Sequence, residues 1–513
     1  MPLTKPLLPR VLVDLVHLQS GGVNGGIKAF IFELVKWLGE QTAVPLKFIF
    51  LTRSRTHAEV RDTLARSHDE LVCVFDDRDG TRPRTFGRGP RERTTVPPPI
   101  DLAWQLEADL VYCPFGPPDH ACAGIPTICF VADVLHRDYP ASLSAAEILQ
   151  REGYFQRLVA VADAIQCNSH YVMDRLHTLY GVSSERMFTV YNAIQARLQS
   201  RPHAGQTIAA TGEYFFYPAN AWLHKNHETL LVAYRLYRHH TLAAGRVPWK
   251  LVLTGHNDQR WDALKRVSAS LGLNGDVVFH GYVEASHLHT LWREAGALVM
   301  PSLHEGFGIP LLEAMHYGVP VIASDATSLP EVGGDACLLV NARQPERLAE
   351  AMHRVATEPG LRDTLVERGS RREQAFSISH EAGRLLERIQ MLTRAQTWRP
   401  FTQGVHADGW TEENALIGLP TGKLRCVLEL ETHPALKSRK VVLRTGDARH
   451  GSFRLPAAKP ATIRVSLRPI GKPLHMHVPN AGNIATADAR RHGIRLAAAR
   501  LIQPDGQTLN LLP

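Results

Sequence analysis

Short apolar runs alternate with amphipathic segments from residue 10 to about residue 385. Runs of four to seven apolar residues predict buried strands, and the segments between them have the apolar spacing of helices. This alternation is typical of βα units, so we predict two doubly wound parallel sheets in an α/β fold. The predicted strands are 10–16, 46–51, 109–113, 126–131, 164–167, 187–191, 213–217, 250–254, 277–280, 297–300, 320–324 and 337–340.

The pattern changes after about residue 400, where short runs of alternating apolar and polar residues are separated by glycine and proline. Such runs predict an antiparallel β-sandwich, with strands that include 424–430, 441–445, 462–467 and 474–478. The polar stretch from Arg201 to Gly212 separates the two sets of α/β strands. The expected parts of the chain are 1–200 and 201–385 as α/β domains, 386–407 as helix and linker, and 408–513 as the sandwich.

The composition is that of a globular protein, with 44% hydrophobic and 21% charged residues. Its 513 residues exceed what one core usually holds. We find no apolar stretch of the roughly 18 residues that a membrane-spanning helix needs. Seven scattered cysteines without a CxxC pair argue against zinc sites and a disulfide framework. A cytoplasmic setting is expected, with any membrane contact peripheral and at the inner face.

The positive charge is concentrated in the last part of the chain. Residues 401–513 contain 16 Lys and Arg against 8 Asp and Glu, which accounts for the whole net charge of +8. A basic module can bind an anionic glycan, a lipid headgroup surface or a nucleic acid, because each presents closely spaced negative charge. A solvated face on an accessory domain is the competing interpretation. The N-terminal 400 residues carry no net charge of their own.

The segment 297–325 contains the strongest chemical signal. It predicts a strand, a glycine-bearing loop, a helix that begins near Pro310 and ends before Gly318, and a second strand. Such a loop lies at the carboxyl end of a strand, where α/β sheets bind ligands. The backbone amides of Phe307, Gly308 and Ile309 would then face an anion such as a phosphate. Two carboxylates bracket the loop, and each could accept hydrogen bonds from vicinal hydroxyls.

The whole segment resembles the donor site of glycosyltransferase family 4, a group of retaining enzymes with the two-domain GT-B fold. The resemblance extends through 277–302 and 328–340, and it includes the Glu-x7-Glu pair formed by Glu305 and Glu313. It implies that Glu305 contacts the donor sugar and that Glu313 contacts the nucleoside ribose. The implied donor-binding residues are Asn220, His224, Lys225, Tyr282, Val283, Glu305, Gly306, Phe307, Gly308, Ile309 and Glu313.

A second match is 214–231, which resembles the strand and loop that open the donor domain of the same family. By this resemblance Lys225 lies near the donor diphosphate, where an ammonium stabilises charge on the leaving phosphate. Many family members carry Arg immediately before this Lys, whereas this chain has His224. A second permanent cation is therefore not assumed. Lys225, Glu305, Asp133 and His136 are the expected catalytic residues.

The N-terminal half matches the family more diffusely. Gly22, Gly25 and Gly26 lie between the first strand and a helix, in a loop expected to face the interdomain cleft. The segment 127–140 resembles the family's His-Asp-Leu motif and retains Asp133 and His136, which we place at the cleft. Its first His is replaced by Ala132, and in relatives that imidazole lies near the transferred sugar. A core or surface role for His136 is as well supported as a ligand role.

The resemblance implies transfer of a hexose, mannose-like first, with retention at the anomeric carbon. The expected donor is a GDP-sugar, with a UDP-sugar next, and the acceptor is a glycan or a lipid-linked oligosaccharide of surface polysaccharide synthesis. No cofactor or metal is expected, since the Asp-x-Asp pattern at 76–79 is interpreted as a solvated loop. The basic region could hold an acidic or lipid-diphosphate acceptor, or orient the enzyme at a membrane. We expect no nucleic acid partner.

Two other classes of protein compete with this interpretation. A sugar-phosphate enzyme of similar fold, such as an epimerase or phosphorylase, would need a catalytic carboxylate pair or a cofactor lysine site, and the sequence offers neither. A non-catalytic glycan-binding or scaffold protein is favoured by Ala132, by His224 and by the extra sandwich. The presence of Glu305, Glu313 and Lys225 argues against a loss of activity.

Overall fold

The computed structural model describes most of the two α/β domains and the strands of the C-terminal region. The described residues are 8–20, 25–74, 92–95, 102–193, 214–256, 259–394, 402–405, 411–419, 424–431, 439–445, 448–456, 460–467, 473–479, 495–502 and 508–510.

The first domain is built on an eight-stranded parallel sheet with the order β4-β3-β2-β1-β5-β6-β7-β8. The strands are β1 (Arg10–Asp14), β2 (Lys47–Thr52), β3 (Glu70–Val74), β4 (Glu92–Thr95), β5 (Leu110–Cys113), β6 (Thr127–Val131), β7 (Ala164–Cys167) and β8 (Met187–Thr189). The helices are α1 (Gly25–Glu40), α2 (Ser54–Thr63), α3 (Leu102–Gln105), α4 (Leu135–Asp138), α5 (Ala145–Val161) and α6 (His170–Tyr180). A buried apolar cluster lies on each face of this sheet.

The second domain has a six-stranded parallel sheet with the order β11-β10-β9-β12-β13-β14. Its strands are β9 (Tyr214–Pro218), β10 (Lys250–Thr254), β11 (Val277–Gly281), β12 (Ala297–Met300), β13 (Val321–Ser324) and β14 (Cys337–Val340). The helices that follow the first domain are α7 (His227–Ala243), α8 (Gln259–Ser270), α9 (Ala285–Glu294), α10 (Ile309–His316), α11 (Leu329–Gly333), α12 (Pro345–Thr357), α13 (Leu361–Glu373) and α14 (Ile378–Arg394). The strand order reverses between β9 and β12, which is where doubly wound sheets bind ligands.

The last helix of the α/β part, α14, returns to the first domain. Its buried residues Ala382, Leu385 and Ile389 join the apolar core beside α1. The backbone amide of Tyr191 donates a hydrogen bond of 2.8 Å to the carboxylate of Glu381. The helix therefore connects the two domains a second time. The domain boundaries expected from the sequence stay predictions.

The C-terminal region is antiparallel and all-β. One sheet has the order β15-β16-β21-β18-β19 and the other β20-β17-β22-β23. The strands are β15 (Thr402–Val405), β16 (Thr411–Ile417), β17 (Leu424–Glu431), β18 (Arg439–Thr445), β19 (Ala448–Leu455), β20 (Ala461–Leu467), β21 (Leu474–His477), β22 (Arg495–Ile502) and β23 (Thr508–Asn510). Apolar side chains of both sheets share one buried cluster.

The predicted α/β class and the all-β C-terminal region are confirmed, and each predicted α/β strand has a counterpart within a few residues. The sequence pattern missed β3 and β4 in the first sheet. β3 has four consecutive apolar residues, as many as the predicted strand β12, so its local signal was present and was not recognised. β4 has the sequence ERTT, which carries no apolar signal, and among the strands that the structure describes its partner is β3, at the edge of the sheet. Pairing with a neighbour, which a local pattern does not record, makes it a strand.

Candidate functional site

The glycine-bearing loop between β12 and α10 has the backbone geometry that its sequence requires. Gly308 precedes the helix with φ of +100°, and a Cβ atom there would lie 2.5 Å from Cδ2 of Leu329. Pro310 has no N–H, and the Leu311 amide donates to the carbonyl oxygen of Gly308 at 2.9 Å, so of the first three residues of α10 it is Ile309 whose amide is open to an anion. At the other end, Gly318 has φ of +66°, and the Val319 amide donates to the carbonyl oxygen of Ala314. A left-handed glycine just past the last turn agrees with the helix end predicted before Gly318.

The two predicted donor loops meet at Lys225 and Glu305. The Nζ atom of Lys225 lies 2.6 Å from Oε1 of Glu305, and both side chains are mostly buried. The backbone amide of Leu303 donates to the carbonyl oxygen of His224 at 2.7 Å, which ties the loops together. The buried hydroxyl of Tyr217 donates to the Lys225 carbonyl oxygen at 3.0 Å. The ion pair is therefore held from both sides at the carboxyl edge of the sheet.

Asn220 and Asn226 shape the loop that carries Lys225. The Oδ1 atom of Asn220 accepts a hydrogen bond from the His256 amide at 2.8 Å. Asn226 has a positive φ of 60°, and its Nδ2 donates to the carbonyl oxygens of Pro301 and Ala342. These bonds hold the turn before α7, so both asparagines brace the loop.

The remaining predicted donor residues surround the same edge of the sheet. Glu313 lies in α10 and is only 4% exposed, which is uncommon for a glutamate. Tyr282 follows β11 and is 71% exposed, while Val283 beside it is half-buried. Phe307 is buried and Ile309 half-buried at the start of α10. The structure thus brings together segments that are up to about a hundred residues apart in the chain.

Asp133 of the first domain faces the donor loop across the cleft. A Cβ atom on Gly306 would lie 1.7 Å from the carbonyl oxygen of Ala132 and 3.1 Å from Cβ of Asp133. Glycine is therefore required where the two domains approach most closely. The Asp133 carboxylate accepts from the Leu135 amide at 2.9 Å and lies 3.5 Å from Nη1 of Arg151.

A cavity of about 260 Å³ opens on the first-domain side of the cleft, beside Ala132 and Asp133. Aromatic side chains form much of its wall, including Phe115 and Tyr154, and Arg151 contributes a cation. Pockets of this kind combine apolar walls with a few polar groups that orient a ligand.

Hydrogen bonds join the two domains directly. The Oγ atom of Ser169 donates to the carbonyl oxygen of Gly306 at 2.7 Å. The carboxylate of Glu331 in α11 accepts from the amides of His170 and Tyr171 at 2.7 and 3.0 Å, at the first turn of α6. It also accepts from the Tyr191 hydroxyl at 2.9 Å. A carboxylate at a helix N-terminus is favourably placed, so these contacts stabilise a closed cleft.

His136 lies inside the first domain rather than on the cleft surface. Its Nε2 atom is 2.8 Å from the Tyr180 hydroxyl, and its ring lies 4.5 Å from that of Phe155. Burial lowers the pKa of His136, with the Glu152 carboxylate acting against this shift. These contacts fit the core role that the sequence left open. A catalytic role for His136 stays a prediction.

Two histidines of the donor loops are buried and neutral. Burial, followed by the nearby Lys225, lowers the pKa of His224 to about 3. His224 therefore carries no charge near pH 7 and does not supply a second cation. His304, which directly precedes Glu305, is 3% exposed, and burial lowers its pKa as well. Nothing in the sequence singles out His304, because a lone histidine beside a glutamate carries no local sign of burial.

The N-terminal glycine loop is described only in part. Gly25 and Gly26 are the first residues of α1, and Gly25 has a positive φ of 55°. Gly22 and the Asp-x-Asp pattern at 76–79 lie outside the described residues. Among the residues that the structure does describe, no cluster of three metal-ligating side chains is found. No helix in this part of the chain is long and apolar enough to cross a bilayer.

Residues 201–372 match the family "Glycosyl transferases group 1". This group 1 match contains Lys225, Glu305 and Glu313, and it ends within α13. Asp133, His136 and the all-β region lie outside it.

Two curated relatives from Escherichia coli share part of the chain. O-antigen chain mannosyltransferase B is 35% identical over 153 residues, which make up 30% of this chain and 39% of that protein. The serotype-specific mannosyltransferase WbdA is 26% identical over 255 residues, 48% of this chain and 31% of that protein. The chain thus spans well under half the length of these relatives.

Solved structures match both α/β domains together. The Anabaena protein Alr3699/HepE in complex with UDP and glucose aligns with a TM-score of 0.55 and 16% identity, over 75% of this chain and 100% of that one. WaaG, a glycosyltransferase involved in lipopolysaccharide biosynthesis, aligns with a TM-score of 0.51 and 14% identity, over 74% and 99%. These likenesses confirm the predicted GT-B fold of the group 1 domain and the domain before it.

Proposed function

We propose that this protein is a retaining glycosyltransferase of family 4 that transfers a hexose from a nucleotide diphosphate sugar to a glycan or a lipid-linked oligosaccharide. The observation that carries the proposal is the Lys225–Glu305 pair, 2.6 Å apart in two loops at the cleft. The group 1 match over 201–372 supports it. Surface polysaccharide synthesis is the proposed setting, because the curated relatives include O-antigen chain mannosyltransferases.

Each group of the site has a chemical part in this reaction. The Lys225 ammonium stabilises the charge that develops on the leaving diphosphate. The Ile309 amide at the start of α10 binds the same diphosphate, and Glu305 accepts hydrogen bonds from sugar hydroxyls. Glu313 binds the ribose. The acceptor oxygen bonds to the anomeric carbon on the face from which the diphosphate departs, and its hydroxyl proton passes to a phosphate oxygen of that leaving group, so no protein nucleophile takes part. Asp133 is a first-domain carboxylate that faces the same loop.

A GDP-sugar with a mannose-like hexose is the proposed donor, and a UDP-sugar is second. The mannosyltransferase names of the relatives support mannose, whereas a fold neighbour binds UDP and glucose. We further propose that the acceptor enters the 260 Å³ cavity beside Ala132, because this cavity lies across the cleft from Glu305.

The basic face of the hairpin β18–β19 supports a contact with an anionic membrane. Lys440 lies opposite Arg454, and Arg444 lies opposite Arg449, so like charges face each other across the strands. All four side chains are exposed, and none forms an ion pair with a residue that the structure describes. Opposed like charges destabilise a hairpin. A flat anionic lipid surface offsets this repulsion, because each cation close to the surface contributes about 1 kcal/mol of binding free energy.

We propose that the region 408–513 is a β-sandwich that orients the enzyme on the inner face of the cytoplasmic membrane. The experiment is sedimentation with vesicles of phosphatidylglycerol and phosphatidylcholine. The Arg444→Glu, Arg454→Glu variant should lose binding to the anionic vesicles. Charge reversal of Arg495 is the matched control, because Arg495 is already paired with Glu431 on the other sheet. Equal binding by both variants would contradict the membrane role.

The enzymatic proposal is tested by calorimetric titration of the whole chain with GDP, UDP, ADP and their hexose conjugates. Binding of one nucleotide family, weakened strongly in Lys225→Ala and Glu313→Ala, is expected. Turnover with the bound donor should yield product of retained anomeric configuration. Absence of binding by every nucleotide would favour the alternative, a non-catalytic glycan-binding or scaffold protein with a degenerate glycosyltransferase fold.

A further inference from the structure

The cavity beside Ala132 has apolar walls and a small polar region. The apolar side chains that line it are Ile27, Pro114, Phe115, Phe130, Val131 and Phe155. Among the residues that the structure describes, its charged groups are the Asp133 carboxylate and the Arg151 guanidinium, and Tyr154 adds a hydroxyl. A sugar ring has a matching division, since its C–H faces are apolar and its edge carries hydroxyls. The cavity therefore combines a surface for the ring with groups for its hydroxyls.

The two charged groups lie at the end of the cavity that is nearest the donor loop. The Cβ atom of Asp133 lies 3.1 Å from the position that a Cβ atom would take on Gly306, the residue after Glu305. Arg151 extends to this end from α5, and its Nη1 atom lies 3.5 Å from Oδ1 of Asp133. A group bound to this pair is thus the part of an acceptor that lies closest to the donor sugar.

Both charged groups are accessible and have hydrogen-bonding positions to spare. The side chains of Arg151 and Asp133 are 41% and 36% exposed. The carboxylate accepts from the Leu135 amide through Oδ1, and its Oδ2 atom makes no hydrogen bond with a residue that the structure describes. The same holds for the guanidinium, whose 3.5 Å contact with Asp133 is longer than an ordinary hydrogen bond. The pair therefore offers free donors and free acceptors to a ligand.

The balance of charge favours an uncharged ligand. An anionic group bound to Arg151 would lie beside the Asp133 carboxylate, and two like charges this close repel each other. An uncharged sugar avoids this repulsion, because one hydroxyl donates to the carboxylate and the adjacent hydroxyl accepts from the guanidinium. The volume of about 260 Å³ lies below the range of about 300–1,000 Å³ that is usual for drug-sized ligands. One sugar ring fits it better than an oligosaccharide does.

We propose that the terminal residue of the acceptor is an uncharged sugar, and that Asp133 and Arg151 together bind two adjacent hydroxyls of it. This inference rests on the proposed function, because it describes the acceptor of that transfer. Arg151 then determines specificity in the first domain. An acidic sugar or a phosphate elsewhere in the acceptor lies farther from the donor, outside the cavity.

The experiment compares matched pairs of uncharged and anionic sugars. Dissociation constants for the whole chain are measured by saturation-transfer NMR. One pair is methyl glucoside and methyl glucuronide, and the other is methyl mannoside and the same glycoside phosphorylated on its exocyclic hydroxyl. At least one uncharged glycoside should bind, and its anionic counterpart should bind about tenfold more weakly, because it meets the Asp133 carboxylate.

Three variants assign the effect to the pair. Arg151→Met should weaken binding of the uncharged glycoside by about tenfold or more, the range of a hydrogen bond to a charged group, and should leave nucleotide affinity within about twofold. Asp133→Asn keeps the shape and removes the negative charge, so it should reverse the preference toward the anionic sugar. Arg157→Met is the matched control, since Arg157 is also in α5 but pairs with Asp119 at 3.0 Å and does not line the cavity. It should leave every constant unchanged, and melting curves check that each variant is folded.

Other results would overturn the inference. Tighter binding of the anionic sugars by the unaltered protein would mean that Arg151 binds an anion. An equal loss in Arg151→Met and Arg157→Met would mean that neither guanidinium contacts the sugar. Nucleotide binding without binding of any glycoside would overturn this inference and leave the transferase proposal standing. Absence of nucleotide binding would instead defeat the proposed function itself.

Discussion

The Lys225 ammonium lies 2.6 Å from the Glu305 carboxylate, so two groups expected to bind different parts of a donor are bonded to each other. Removing one charge from a mostly buried pair leaves the other without its partner. We expect Lys225→Met and Glu305→Gln each to lower the free energy of unfolding. The double variant should be less destabilised than the sum of the two, with a coupling of about 1–3 kcal/mol. Urea unfolding measures this cycle.

The loss of the Lys225 charge should also lower turnover, separately from its effect on stability. Lys225→Met is expected to reduce kcat by about 10²- to 10³-fold, the loss seen when one donor to a developing anion is removed. Steady-state kinetics with a saturating donor measure it. Strictly additive unfolding energies, or a kcat that changes less than tenfold, would contradict the role given to the pair.

Gly306 sets how closely the two domains approach. A Cβ atom at this position would lie 1.7 Å from the Ala132 carbonyl oxygen, and a backbone atom cannot move aside alone. Gly306→Ala should therefore open the cleft and lower kcat/KM by at least about 100-fold, since displacements near 1 Å have such effects. Small-angle scattering should show a larger radius of gyration. Gly153→Ala in α5 is the control, because a Cβ atom there meets nothing within 4 Å and should have no effect on activity.

Glu331 is expected to govern domain closure. Its carboxylate accepts three hydrogen bonds from the first domain, two of them at the start of α6. Glu331→Ala should shift the molecule toward open forms and raise KM for the donor, with a smaller effect in Glu331→Gln, which keeps one acceptor oxygen. Small-angle scattering measures the opening of the cleft, and steady-state kinetics measure KM. Glu350→Ala removes an exposed ion pair with Arg347 and should change neither quantity.

Stability should fall as the solution becomes acidic. Burial lowers the pKa of His224 and of His227 to about 3, whereas the unfolded value is 6.5. Below pH 6.5 the unfolded chain binds protons that the folded chain refuses, so stability present above pH 6.5 is lost toward pH 3. Each histidine contributes up to about 1.4 kcal/mol for each pH unit. Between pH 7.5 and pH 5 the free energy of unfolding of His227→Asn should therefore fall by about 2 kcal/mol less than that of the unaltered protein. Urea unfolding at the two pH values measures this difference.

Much of the fold could be predicted because its determinants are local. Each buried parallel strand is a short apolar run, as in β6 and β12, and the glycines around α10 mark a loop and a helix end. The donor loop is one continuous segment, so its resemblance to a family could be seen in the sequence. The strand β4 was missed because its polar residues become a strand only by pairing with β3.

The order of strands and helices, the donor loops and the position of the basic region follow from the sequence alone, since each depends on neighbours in the chain. The pairing of Lys225 with Glu305, the burial of His136 and the burial of His304 beside Asp138 arise in the tertiary structure alone. The ion pair joins residues that are 80 positions apart, and the His136 ring contacts the Tyr180 hydroxyl 44 positions away. Burial and charge pairing arise only when distant segments exclude water together, and a local pattern carries no record of that.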